Sequence, residues 1–380
     1  MIVRESRIRA LDSLRGLAAV TVVIAHACGI LIEGHSFDEY TPLYLFRAAH
    51  ESVIFFFLLS GYVLTYQILN QNVFNYKNFI TLRIFRIYLP YLVIILLTLL
   101  VYALFQTTSP EMASVWGKPV TPEAIINHVI LLGNFDTNAY NNVIWSLVHE
   151  IRVAVIFPII LYVISLEWRN AVLLTFVLSM LVAMAVVFGI SHAEGYNNSY
   201  LYTVHYFSFF VLGALLIKYG SVISEWYLNL TGKQRTYILV FCLLVFCYSR
   251  MVFLIPHKFH LLKISLFGEF IADWLSALSA AFFIVAASQI TNKKNLLLHP
   301  IPLFLGKISY SLYLIHLPVI IVFFNVFSGA NRLVLIMVSI VVAFVLAFLS
   351  SKYLESSSAR LGKWFVSNKL KYSKDPSRIE

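Results

Sequence analysis

The chain has 380 residues, 60% of them hydrophobic and only 12% charged, with 31 Phe and 22 Tyr. A soluble domain carries about 25% charged residues, so this composition excludes a soluble globular protein and points to a polytopic membrane protein. The formal net charge is +10. In a soluble chain that excess would suggest nucleic acid; here the basic residues sit mostly in short loops and at the tail, so the charge reads as topology and no nucleic-acid partner is expected.

The N-terminal stretch MIVRESRIRALD has charges but no short apolar segment followed by a small-residue cleavage site, so no removable signal peptide is expected and the first span is retained. Roughly 20 apolar residues cross a bilayer as a helix. By that rule spans fall near 12–33, 48–70, 87–107, 143–165, 169–190, 201–219, 236–255, 268–290, 303–327 and 331–354. AIINHVILLG (124–133) is too short to cross and reads as an interfacial or re-entrant helix within the longest loop, 108–142. The tail KYSKDPSRIE is polar and charged, and disorder is expected there. Residues 1–365 thus read as one transmembrane domain and 366–380 as a polar cytoplasmic tail.

With the N-terminus inside, Lys and Arg number 19 on the cytoplasmic side and five opposite, the asymmetry that sets orientation. The expected fold is all-α: a polytopic integral membrane protein of about ten transmembrane helices, in the cytoplasmic (inner) membrane, with both termini cytoplasmic. Cys28, Cys242 and Cys247 all lie in apolar runs, so they read as small core hydrophobes, with no disulfide framework and no metal site.

Ionisable groups in a span are costly and mark functional paths. The first span, ALDSLRGLAAVTVVIAHA, carries Asp12, Arg15 and His26. Counting 1.5 Å per residue from the span ends puts His26 and Glu150 of the fourth span at nearly one depth, in the outer half of the core. Ser60 and His316 fall in the middle third. Asp12, Arg15, Arg83 and Arg86 gather near the cytoplasmic face. A cationic inner mouth suits an anionic donor, because guanidinium forks grip phosphate and keep their charge. An imidazole deeper in suits proton removal from a hydroxyl, with a carboxylate to fix its tautomer. Asp12 precedes Arg15 by one turn, so it either orients the arginine or acts directly.

Five stretches in order carry a resemblance: RALDSLRGLAAVTVVIAH (9–26), FFFLLSGYVLT (55–65), NFITLRIFRIYLPY (78–91), IWSLVHEIRVAVIFP (144–158) and GKISYSLYLIHLPV (306–319), with KYLESS (352–357) closing the series. Together they resemble the membrane-bound acyltransferase-3 family, which acylates bacterial surface polysaccharides, peptidoglycan, lipid-linked sugars and some secondary metabolites. The resemblance implies that His26 is the essential first-span histidine and Arg15 the arginine before it. It implies that Arg83 and Arg86 are the basic pair associated with the acyl-CoA donor, and that Glu150 is the acid of the Trp-Ser-Leu-x-x-Glu motif begun by Trp145. Ser309, Tyr313 and His316 belong to the late motif and are expected to line the pocket or bind helices together. KYLESSSA lacks the proline that often follows the family's closing glutamate, and no esterase-like domain is appended.

There is no Gly-x-Ser-x-Gly elbow, no His-Glu-x-x-His and no phosphate-binding GxxxxGK[ST] loop, which argues against a serine hydrolase, a zinc protease and an ATP-driven pump. The expected activity is an O-acyltransferase moving an acyl group, by default acetyl, from cytoplasmic acetyl-CoA or another acyl-CoA to a hydroxyl of a carbohydrate, glycolipid or small molecule. His26 serves as base or acyl carrier, and membrane lipid surrounds the chain. No metal is expected. The alternative is a proton-coupled secondary transporter relaying protons through His26, Glu150 and His316.

Overall fold

The computed structural model describes residues 5–31, 46–71, 73–104, 119–190, 199–292 and 294–372. Lys118, His35, His192, part of the 108–142 loop and the last eight residues of the expected disordered tail lie outside the described residues.

Every described element is helical. In chain order they are α1 (Glu5–Leu31), α2 (Ala49–Leu69), α3 (Tyr76–Leu104), α4 (Pro122–Ile130), α5 (Ile144–Val155), α6 (Phe157–Ser165), α7 (Trp168–Val187), α8 (Tyr200–Lys218), α9 (Gly220–Asn229), α10 (Gly232–Tyr248), α11 (Met251–Lys258), α12 (Leu262–Ser288), α13 (Pro300–Val326), α14 (Arg332–Leu349) and α15 (Ser356–Tyr372). Among the described residues, eight helices are long and apolar enough to cross a membrane, and ten if each of two broken pairs counts as one span. The protein is therefore a multi-pass helical membrane protein. Leu97, Leu100 and Leu104 on α3 are more than half exposed, as side chains facing lipid are. α15 carries the chain in helix to Tyr372, so the boundary drawn at 365 falls inside a helix.

Local chemistry sets the helix starts. Thr121 caps α4, with its side chain accepting from the Ala124 amide and Pro122 at the first position, where the missing N–H costs nothing. Thr231 and Gln234 form a reciprocal capping box at α10, which satisfies two orphan donors. The expected seventh span, 236–255, is α10 together with the start of α11, and α10 is bent by 114° from α9. The expected fourth span is broken at Ile156 into α5 and α6. Pro158, just beyond the break, has no N–H for the preceding turn. α4 is a nine-residue helix, as its length required.

The chain forms two units. The first combines Met1–Asn70 with Phe157–Ser309, and the second Gln71–Ile156 with Tyr310–Glu380. In the first, α2 lies against α8 at backbone contact. A Cβ on Gly61 would sit 2.0 Å from the Phe210 carbonyl, and one on Gly213 1.9 Å from the Leu58 carbonyl. Small residues permit such an approach between membrane helices, and Gly61 and Gly213 supply it here. α1 meets the start of α13 in the same way, since a Cβ on Gly16 would sit 2.3 Å from the Gly306 nitrogen.

The second unit contains two π-helical segments, Ile84–Tyr88 within α3 and Ser350–Glu355 between α14 and α15. In π register the Phe85 carbonyl faces Pro90, which has no N–H, and the Ser358 hydroxyl donates to it instead. Pro318 likewise leaves the Leu314 carbonyl without its helical donor, and the Asn141 amide fills the gap at 3.0 Å.

Candidate active site

Arg15 sits on α1 where Gly16 and Gly306 bring the backbones together. Its Nε donates to Ser309 Oγ at 3.0 Å and its Nη2 to the Gly306 carbonyl at 3.0 Å. Asp12 Oδ1 lies 3.1 Å from the same Nη2, one turn back. Ser309 is itself fixed by donating to Gly306. The guanidinium is thus clamped in one plane while about a third of the side chain stays open. His26 is eleven residues further along α1. Eleven residues make three turns and about 20° of rotation, so both side chains leave one face of α1, about 16 Å apart along its axis.

The second unit holds Glu150. Arg83 Nη2 donates to Glu150 Oε1 at 2.8 Å, and the two side chains are 11% and 21% exposed. This pairing corrects the depth count, which had placed Arg83 at the cytoplasmic mouth and Glu150 in the outer half of the core. α3 begins at Tyr76 instead of 87, so Arg83 lies within a helix, and the segment bearing Glu150 is broken at Ile156. The two residues therefore share one level, and the opposite levels counted along straight spans do not hold together. Arg83 Nε is buried without a hydrogen-bond acceptor among the described residues, leaving a donor to spare. Arg86 is exposed.

Around this pair the late motif supplies hydroxyls. Tyr310 donates to the Ile87 carbonyl in the π segment at 2.6 Å. Tyr313 donates to the Val143 carbonyl at 2.9 Å and lies 2.7 Å from Ser146 Oγ. Buried His316 has Nδ1 2.9 Å from the Leu312 carbonyl, which fixes the tautomer with the basic lone pair on Nε2. Trp145 is only 6% exposed and stands edge-on to His149, so it packs inside this unit. Arg152 donates to the Leu132 and Gly133 carbonyls, holding the turn where Leu131 adopts a left-handed φ of 57°. Ser60 is half-buried on α2 in the first unit.

The partner of the closing glutamate and one buried cluster were not foreseen from the sequence. Glu355, in the π segment before α15, accepts from both the backbone N–H and the hydroxyl of Ser311. In the first unit, a chain of hydrogen bonds with one donor direction is buried among α2, α7, α8 and α12. Trp274 Nε1 donates to Ser179 Oγ at 2.9 Å, Ser179 lies 2.7 Å from His205 Nδ1, and His205 Nε2 lies 3.1 Å from Asp273 Oδ2. His50 Nε2 reaches Asp273 Oδ1 at 2.9 Å. Arg250 approaches Glu269, Glu51 and Asp273 at 3.3, 3.8 and 3.9 Å. Among the described residues, no three His, Cys, Asp or Glu side chains are placed to hold a metal ion.

A helical, multi-pass membrane protein with a clamped arginine and a histidine on one face of its first span is the class these features define. The acyltransferase family profile, described as an acyltransferase domain, matches residues 8–352 of the 380. The chain belongs to the acyltransferase-3 family. Comparison with curated proteins and with solved structures gave no match.

Proposed function

We propose that the protein is an O-acyltransferase of the cytoplasmic (inner) membrane, with both termini inside, that moves an acyl group from cytoplasmic acyl-CoA to a hydroxyl acceptor. The observation that carries this reading is the arrangement on α1: a guanidinium fixed by Asp12, Ser309 and Gly306, with His26 about 16 Å further along the same face. Arg15 holds the phosphates of the donor, for which a forked, permanently charged side chain is suited. The thioester extends toward His26. His26 takes the proton of the acceptor hydroxyl as its oxygen attacks the thioester carbonyl; the C–S bond breaks, and the thiolate leaves with that proton as free CoA. Acyl transfer through His26 as a carrier is the two-step version, recognisable by ping-pong kinetics. The acyl group is acetyl.

The test is CoA release from acetyl-CoA by the full-length protein in lipid nanodiscs. Wild type releases CoA, His26→Ala loses about 10²-fold or more, the scale of a missing general base, and Arg15→Ala binds donor at least tenfold more weakly. A wild type that neither binds nor turns over any acyl-CoA, with or without sugars, refutes the reading and favours the proton-coupled transporter.

A further inference from the structure

The turn between α11 and α12 carries a charge pattern that the reaction just described does not use. In HKFHLLK (257–263) two lysines and two histidines are interleaved with large apolar residues, and no acid occurs between Met251 and Gly268. Lys258 and Lys263 are two of the five Lys and Arg counted on the side opposite the expected cytoplasmic one. Cations there run against the usual bias and call for a local use.

The structure makes this segment one surface of the first unit. α11 lies against the start of α12: a Cβ on Gly268 would sit 2.5 Å from the Val252 carbonyl, and the Ser265 hydroxyl donates to the Phe253 carbonyl at 3.2 Å. His257 stacks on Phe253 with ring centres 5.6 Å apart. His260 takes a left-handed φ of 57° where the chain turns. Lys263 reaches the end of α7, its Nζ 5.7 Å from the centre of the Phe188 ring. His257, Lys258, His260 and Lys263 are all exposed, and so are Phe188, Phe259, Leu262 and Ile264, each by more than half.

Two physical requirements meet here. Large apolar side chains exposed together need an apolar cover, and clustered cations need counter-charge. A soluble polyanion would pair with the lysines and leave Phe259 and Leu262 in water. A neutral lipid would cover those side chains and leave the lysines without an anion. An anionic phospholipid answers both, with its chains on the apolar residues and its phosphate at the ammonium groups, which long lysine stems carry up to the headgroup level. The level also fits. α12 has 27 residues, about 40 Å of helix against a hydrocarbon core of about 30 Å, so an end residue such as Lys263 reaches the headgroup layer. The helix starts without a side-chain cap or an acid in its first turn, and its dipole adds positive charge at the same place.

We infer that the α11–α12 turn is a docking site for an anionic phospholipid of the leaflet it faces, with Lys258 and Lys263 at the phosphate and Phe188, Phe259, Leu262 and Ile264 against the acyl chains. The proposal is independent of the acyltransferase reading.

The experiment places the full-length protein carrying Phe259→Trp in bilayers of phosphatidylcholine and phosphatidylglycerol. One lipid at a time has brominated chains, and quenching of the added tryptophan is read against the parent protein. Bromine quenches only on contact, so the readout is local; Leu262→Trp is the second reporter position. Phosphatidylglycerol is expected at this tryptophan at about fivefold or more over its share of the bilayer, the scale of one lysine near an anionic surface. Raising the salt weakens the enrichment. Lys258→Gln with Lys263→Gln abolishes it, whereas Lys294→Gln, beyond the other end of α12, leaves it unchanged. Equal quenching by the two lipids, an enrichment that survives the loss of both lysines, or no quenching by either overturns the site; the last result would put the surface in water, open to a soluble polyanion.

Discussion

The Arg83–Glu150 pair makes a demand on stability that can be worked from its geometry. The contact is 2.8 Å and the side chains are 11% and 21% exposed, so neither charge is well hydrated and screening is modest. Removing one partner of a buried pair costs about 3–5 kcal/mol, and the residual exposure lowers the expectation to about 2–4 kcal/mol for Arg83→Met or Glu150→Gln alone. Removing both charges eliminates the stranded group, so the double variant is expected within about 1 kcal/mol of wild type. The coupling energy is then at least about 2 kcal/mol, far above the roughly 0.5 kcal/mol seen between independent sites. The assay is unfolding by SDS titration in mixed micelles for the four proteins of the cycle. Additive single effects, or losses below about 0.5 kcal/mol in each single variant, would refute the claim that the two charges hold each other.

Glycine substitutions separate close approach from helix propensity. Gly16→Ala places a methyl 2.3 Å from the Gly306 nitrogen, whereas Gly29→Ala meets nothing within 4 Å. The first is expected to cost about 1–3 kcal/mol by overpacking, and the second to be neutral or to stabilise by up to about 1 kcal/mol; equal thermal midpoints would contradict the helix contact. His128, on α4 outside the spans, is buried, and desolvation holds its imidazole below the ordinary value of 6.5. A group whose folded pKa is depressed contributes stability above the unfolded value and loses it as pH falls. Stability should therefore decline as pH drops below about 6.5, and His128→Phe should flatten that part of the profile; a wild-type midpoint independent of pH there would count against it.

Much of this was legible in the sequence, because span length and helical spacing are local properties. Arg15 with Asp12 follows from a spacing of three. The Arg83–Glu150 pair was not legible. Its level depends on where α3 starts and on the break at Ile156, both set by tertiary packing and by Pro158, and a rise of 1.5 Å per residue ignores them. The buried cluster was harder still, since His50, Glu51, Ser179, His205, Arg250, Glu269 and Asp273 are scattered over more than 200 residues with no shared spacing. The one available signal was chemical: Asp273 and His205 lie in apolar segments where such residues are costly. Glu355 was read as the closing glutamate, but its partner was not, because the Ser311 N–H belongs to a helix interior where a free donor is not expected.

The scatter of that cluster along the chain has a consequence for biogenesis. His50 and Glu51 enter the membrane with α2, but Arg250 and Asp273, which pair with them, are about 200 residues away in the sequence. At 5–20 residues per second, these side chains wait roughly 10–45 s for their partners. During that interval a carboxylate and an imidazole stand without their final counter-groups in a medium that penalises both. The nascent first unit therefore depends on a sheltered, hydrated environment until α12 arrives, and its correct insertion is limited by the pace of translation as well as by the stability of the finished bundle.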